Sequence, residues 1–313
     1  MILLKKIALW RIVLKNLFKE FSTDYTLKYS ASLAYYTVFS IAPLLVVITA
    51  LFGFLFGKEA MQGEIYGQLK HLVGSKSAIQ IQDVIKNIHL NKNSFFTTVL
   101  SIIILIIGAT SIFGEIQDSI NKIWGLRIKS SKVWWQLIFR RLLSFLLILF
   151  VGAIMIISLL LNTLISAFGN FISLYINNYS VYVMQITEAV FSLFILTFLF
   201  TIIFKVLPDA KIPWKTVMTG GLITAVLFSI GKLGISFYIA RSNLRSLYGA
   251  AGSFIILLIW VYYSSIILYL GAELTKVLGK LYGKQIIPNE YAEWVIIEKI
   301  SIPSATLKNK DLS

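Results

Sequence analysis

Between Arg245 and Glu273 the chain runs for 27 positions without a charged residue. At about 1.5 Å of rise per residue such a run makes roughly 40 Å of helix. A hydrocarbon core of about 30 Å needs only some 20 apolar residues, so the stretch crosses a bilayer with length to spare. A soluble domain has no use for a helix so long and so uniformly apolar. The run closes on Leu270-Gly271-Ala272-Glu273, with Lys276, Lys280 and Lys284 following. That is the pattern of a membrane helix leaving into a basic, cytoplasmic face.

Composition agrees with this reading and narrows it. Hydrophobic residues make up 58% of the 313-residue chain and charged residues 14%, against about 25% charged in an ordinary soluble domain. The net charge of +15 fits basic loops held against anionic headgroups better than nucleic-acid binding. The absence of cysteine removes disulfides, thiolate-bound zinc, iron–sulfur clusters and thiol nucleophiles together. His71 and His89 are the two histidines, 18 positions apart in one loop, without the i, i+4 spacing of a helical metal pair. No stretch reads as a phosphate-binding Gly-rich loop, so nucleotide-driven pumping is not expected, and no cofactor or metal is implied.

The expected architecture is all-α and polytopic, with six transmembrane helices at about 30–57, 95–113, 142–161, 182–207, 214–238 and 250–272. Residues 1–28 form a basic amphipathic arm, read either as an interfacial helix on an anionic leaflet or as a helix packed on the bundle. Pro43 removes a helical donor near the middle of the first span and predicts a kink. The outer loop 58–94 carries two apolar stripes, Ile65-Leu69-Leu72-Val73 and Ile81-Val84-Ile85-Ile88, which predict short amphipathic capping helices. Gly220, Gly221, Gly231 and Gly234 make the fifth span an interior helix, because small residues let backbones approach closely in lipid; such faces also suit a homo-oligomer. Residues 282–313 form a polar cytoplasmic tail with a short helix around 289–300. Twenty-one Lys and Arg fall on one side of these spans and seven on the other, which puts both termini inside.

Several side chains stand out against this apolar background. Lys232 lies in the outer third of the fifth span, where an ionisable group costs at least ~2.5 kcal/mol at the bilayer centre and so marks a pathway, a buried pair or a snorkelling side chain. Glu188 enters the fourth span from the same side and is its expected partner. Tyr262 and Tyr263 sit mid-span in the sixth helix, where a phenol needs a hydrogen-bond partner. Glu273 reads as a helix-end acid answered by Lys276 or Lys205. Glu115, Asp118 and Lys122 follow the second span at spacings that stack them on one face and favour a local ion pair. The carboxylates of Glu115, Asp118, Asp209 and Glu273 all fall at inner helix ends with no histidine beside them, which argues against hydrolytic chemistry on RNA.

Four stretches carry a resemblance: SLAYYTVFSIAPLL, SIFGEIQDSINKIWG, LPDAKIPWKTVMTGG with the rest of the fifth span, and YGAAGSFIILLIWVYYSSIILYLGAEL. Together they cover most of residues 30–280 and resemble the YihY/BrkB family of bacterial inner-membrane proteins. The resemblance implies six helices with both ends in the cytoplasm. Members of that family have carried ribonuclease BN, serum-resistance and virulence labels, and have been suspected of moving lipids or lipopolysaccharide-type molecules. No catalytic residue set comes with the resemblance. The expectation is therefore a non-enzyme: a non-ATP transporter or flippase of an amphiphilic envelope component, or else a structural or regulatory membrane protein that binds envelope partners and moves nothing.

Overall fold

The computed structural model describes residues 24–40, 111–129, 179–241, 252–281 and 286–295, with single positions between 11 and 21 and between 146 and 157. Five helices of this set are α1 (26–40), α2 (111–123), α3 (Tyr179–Val206), α4 (Trp214–Arg241) and α5 (Gly252–Leu281), and the positions described between 11 and 21 are also helical. Four short strands accompany them: β1 (Leu126–Ile128), β2 (Ala210–Lys211), β3 (Ile287–Pro288) and β4 (Ala292–Trp294). Pro43, both histidines, the outer loop, almost all of the second and third spans, and the tail beyond 295 lie outside the described residues.

Three helices are long and apolar enough to cross a membrane: Ile186–Val206, Trp214–Ile239 and Phe254–Leu281. They match the fourth, fifth and sixth expected spans. The sixth differs at its end, since α5 continues eight residues past Glu273 to Leu281. Good helix formers fill that extension (Leu274, Lys276, Leu278, Lys280), and no proline stops it.

α4 packs between α3 and α5, antiparallel to both, and glycine sets the closeness of each contact. A β-carbon on Gly221 would stand 2.4 Å from Thr201 Oγ1 on α3, and one on Gly220 would stand 2.0 Å from Thr275 Oγ1 on α5. Gly271 of α5 receives Thr224 of α4 in the same way, its absent β-carbon 2.0 Å from the threonine Oγ1. Each of these threonine hydroxyls donates back to its own helix, Thr224 to Gly220, Thr275 to Gly271 and Thr201 to Thr197, so none of the three enters the seam unmet. Aromatic rings bridge the same three helices: Phe204 stacks on Phe200, Phe200 meets Phe228, and Phe228 meets Trp260, with centroids 5.8–6.3 Å apart. Glycine does not make α4 wholly interior, however. Met218, Leu222, Ile230, Leu233 and Phe237 are exposed along one side, and a β-carbon on Gly234 would meet nothing within 4 Å. An exposed apolar face on a membrane-spanning helix is what lipid covers.

The segment after α5 departs from the short helix expected around 289–300. It forms two strands, β4 pairing antiparallel with β1 and β3 with β2. The reason is local. Pro288 lacks the donor a helix interior needs, the turn closed by Ala292 N–H donating to Asn289 O reverses the chain, and the loops after α2 and α3 offer unpaired backbone edges. Gly125, with φ of +70°, ends α2 in the left-handed conformation and swings the chain into β1. Its carbonyl accepts the Val295 N–H at 2.8 Å. The loop after α2, the α3–α4 turn and the segment after α5 therefore meet at one end of the bundle.

Candidate functional site

At that same end the polar side chains gather. α2 presents Ile116, Ile120 and Ile123 to the core, one helical face at i, i+4 and i+7. One position further round it carries Gln117 and Asn121, also buried. Both reach Asp209 in the α3–α4 turn: Gln117 Nε2 donates to Oδ1 at 3.0 Å and Asn121 Nδ2 to Oδ2 at 2.6 Å. The Asp209 N–H donates in return to Asn121 Oδ1 at 2.9 Å, and its carbonyl accepts the Asn289 N–H. A carboxylate that is only 2% exposed is thus held at both oxygens and on both sides of its backbone. This explains why QDSIN on α2 and LPDA in the α3–α4 turn belong to one unit. Trp124, fully buried, adds a bond from Nε1 to the Ala272 carbonyl of α5 at 3.0 Å.

The second centre surrounds Lys276. The described positions before residue 22 bury Val13 and Leu17 against Leu274, Val277 and Leu278 of α5. The chain then turns at Tyr25, whose φ of 54° is left-handed without being glycine, a conformation costing about 1–2 kcal/mol. That turn sets Glu20 and Asp24 facing α5. Lys276 Nζ lies 2.9 Å from Glu20 Oε2 and 2.9 Å from Asp24 Oδ2, and donates to the Ile123 carbonyl at 2.6 Å. Lys280 Nζ donates to Glu20 Oε1 at 2.9 Å. Burial alone would raise the Glu20 carboxyl, but the bonds from Lys276 and Lys280 outweigh it and hold the group below the usual carboxylate range.

Glu273 belongs to this centre and is wholly enclosed. Lys276 answers it only at 3.6 Å. Lys205 is committed elsewhere, donating to the Ile212 carbonyl and lying 5.4 Å from the Trp214 ring centroid. The carboxylates of Glu20, Asp24 and Glu273 lie within 4.8 Å of one another, a spacing that three ligands of one metal ion could adopt.

The remaining residues singled out in the sequence are spread along the bundle. Glu115 is half-buried and accepts from Ser119 Oγ at 3.4 Å, while Asp118 and Lys122 are exposed, with the Lys122 ammonium 5.4 Å over the Tyr29 ring. Tyr262 and Tyr263 are half-buried. The Tyr263 hydroxyl fills the notch at Gly231, 1.5 Å from where a β-carbon would stand. Lys232, the next residue, is half-buried, and so is Glu188 on α3. The antiparallel register through Gly221 and Thr201 sets these two charges at about the same depth, yet no ion pair between them is seen among the described residues.

Reasoning from sequence left out Gln117 and Asn121, as well as the role of Glu20 and Asp24. One signal was available for the acids: they are four residues apart in an arm otherwise rich in lysine, the spacing that places two side chains on one face.

Comparison with known proteins places these features in a lineage. The family described as virulence factor BrkB matches residues 17–290, a range that holds both polar centres and the three apolar helices. A UPF0761 membrane protein of Aggregatibacter aphrophilus is 27% identical over 288 residues, covering 91% of this chain and 98% of that one. One from Cronobacter sakazakii is 28% identical over 285 residues, covering 90% and 93%. A UPF0761 membrane protein of Saccharophagus degradans is 25% identical over 272 residues, which span 85% of this chain and 59% of that longer one. No solved structure matches the chain. The chain, an integral membrane protein with its polar side chains collected at one end of an apolar bundle, belongs to the BrkB virulence-factor family.

Proposed function

We propose that the protein moves an amphiphilic component of the bacterial envelope across the inner membrane, without nucleotide hydrolysis and with both termini in the cytoplasm. The observation that carries this reading is Lys232. It is an ionisable residue well inside α4, flanked by exposed Ile230 and Leu233 and adjoining the notch that the Tyr263 hydroxyl fills. A cation bordered by lipid-facing side chains is costly to keep. It offers an anionic headgroup a charge partner and a phenol side by side, with acyl chains left in the surrounding hydrocarbon. The glycine notches favour a second reading. Gly220, Gly221 and Gly271 are each filled closely by a threonine, as suits a rigid scaffold that binds envelope partners and moves nothing.

Reconstitution separates the two. Vesicles holding the intact chain and a headgroup-labelled anionic lipid are expected to show protein-dependent exchange between leaflets, reduced at least tenfold in Lys232→Ala. A chain that is folded in the vesicles and moves no anionic or zwitterionic lipid removes the transport reading and leaves the scaffold.

A further inference from the structure

Residues 271–278 of α5 are covered from several sides: Gly271 and Thr275 meet α4, Ala272 meets Trp124, and Leu274, Val277 and Leu278 meet the N-terminal segment. Glu273 sits in that enclosure with its side chain 0% exposed. An ammonium group has three N–H donors. Lys276 donates to Asp24 Oδ2 and to the Ile123 carbonyl, and its nitrogen stands 2.9 Å from Glu20 Oε2 as an ion pair. Glu273 is held further off, its Oε2 3.6 Å from the nitrogen, beyond hydrogen-bond reach. Neither of its oxygens receives a hydrogen bond among the described residues. Lys280, the other cation, stands mostly in solvent and serves Glu20. Three carboxylates thus share two ammonium groups. The negative charge left over falls on the carboxylate that has neither a donor nor water, the most costly place to leave one.

We propose that Glu273 is a proton-binding site: in the folded, membrane-embedded protein at neutral pH it carries one proton and donates it as a hydrogen bond to the neighbouring Asp24 carboxylate. One proton removes the excess charge, turns a repulsion between two acids into a bond, and leaves the contacts of Lys276 intact. A metal ion on Glu20, Asp24 and Glu273 would have to displace that ammonium from the Glu20 and Asp24 carboxylates. Among the described residues, the charged groups that bear on Glu273 are Lys276 from its own helix and Asp24 and Glu20 from the N-terminal segment, with Lys280 a turn beyond. Loss of the proton would set Glu273 against Asp24 and Glu20 and loosen that segment from α5. The site is independent of whether the chain transports a lipid.

Infrared spectroscopy of the full chain in lipid vesicles at neutral pH tests this directly. The expected result is the carbonyl stretch of a neutral carboxylic acid that shifts in deuterium oxide, is absent from Glu273→Gln and persists in Lys280→Ala. In Asp24→Asn, which keeps a hydrogen-bond acceptor at that position, the band is expected to move in frequency. On the unmodified chain, raising the pH is expected to abolish the band before circular dichroism shows loss of helix, so the test survives a Glu273 variant that does not fold. Absence of the band at neutral pH in the unmodified chain overturns the proposal, as does an unchanged band in folded Glu273→Gln. Manganese that binds one per chain at neutral pH and removes the band also overturns it, assigning the cluster to a metal.

Discussion

The two ends of the α4–α5 contact handle charge in opposite ways. At the Glu273 end, charged and amide groups from the N-terminal segment, α2, the α3–α4 turn and α5 form two connected networks, and the buried Asp209 carboxylate is held at both oxygens. At the Lys232 end, half-buried Lys232 and Glu188 lie at about the same depth beside exposed apolar side chains, and a β-carbon on Gly234 would meet nothing within 4 Å. The difference teaches where the fold is held. Hydrogen bonds to charged groups in a low-dielectric interior lock the end where loops and strands converge, where the Gly220 and Gly271 notches also lie, while among the described residues the other end shows the Gly231 notch filled by Tyr263 and the Phe228–Trp260 ring contact.

That contrast breaks most easily at Asp209. Replacing it with alanine leaves the Gln117 and Asn121 amides buried without an acceptor, and the loss of two bonds to a charged group is expected to cost about 3 kcal/mol or more. Lys232→Met, by comparison, removes a desolvated charge and keeps the stem, so it is expected to be neutral or to stabilise by about 1–2 kcal/mol. Denaturant titration of both variants in the same detergent measures the pair. Equal destabilisation would mean that Lys232 is as structurally committed as Asp209.

Glycine gives the next largest effect. Gly271→Ala drives a β-carbon into the β-branched Thr224 side chain, which has no flexible end to move aside, and overpacking of this kind costs about 1–3 kcal/mol. Gly234→Ala meets nothing and is expected to gain up to about 1 kcal/mol of helix propensity. Thermal unfolding of the two single variants in one lipid mixture decides whether position or residue type governs. If both behave alike, close approach of α4 and α5 is not what holds the seam.

How much of this could be read in the sequence follows from the physics of each part. Span length and apolarity are properties of a contiguous run, so α3, α4 and the start of α5 were legible to within about three residues, while the end of α5 at Leu281 lies nine residues past the expected 272. Glycine spacing signalled close packing of α4, but it could not say which glycine meets a helix and which meets lipid, because that depends on neighbours far away in the chain. The strands were not legible: two- and three-residue ladders have no periodicity of their own and form because Gly125 and Pro288 redirect the chain toward loops that offer open edges. The polar site was half legible. Glu273 and its helical neighbour Lys276 are three apart and could be paired by counting. Their partners Glu20 and Asp24 lie some 250 positions away, and only the left-handed turn at Tyr25 brings them into place. The Asp209 clamp likewise joins residues 88 and 92 positions apart, beyond the reach of any local pattern.

The smallest expected effects lie at the rim of the Lys276 centre, and they sharpen the comparison because they titrate. The Lys280 side chain is 59% exposed, so Lys280→Ala is expected to cost less than about 1 kcal/mol. Glu20 binds its proton less readily in the folded chain than at its ordinary value of 4.5. Its contribution to stability is therefore complete above that pH and is lost as pH falls through the lower folded value. Unfolding measured as a function of pH in detergent is expected to show an acid limb beginning below about pH 4.5, shallower in Glu20→Gln. Glu273→Gln supplies the contrast. A carboxyl protonated in the folded chain at neutral pH contributes stability that is fully present below its ordinary value of 4.5 and is lost as pH rises, so below about pH 4.5 that variant is expected to keep the acid limb of the unmodified chain. A limb that flattens in Glu273→Gln as it does in Glu20→Gln would mean that both acids are ionised in the folded protein and share the lysines equally.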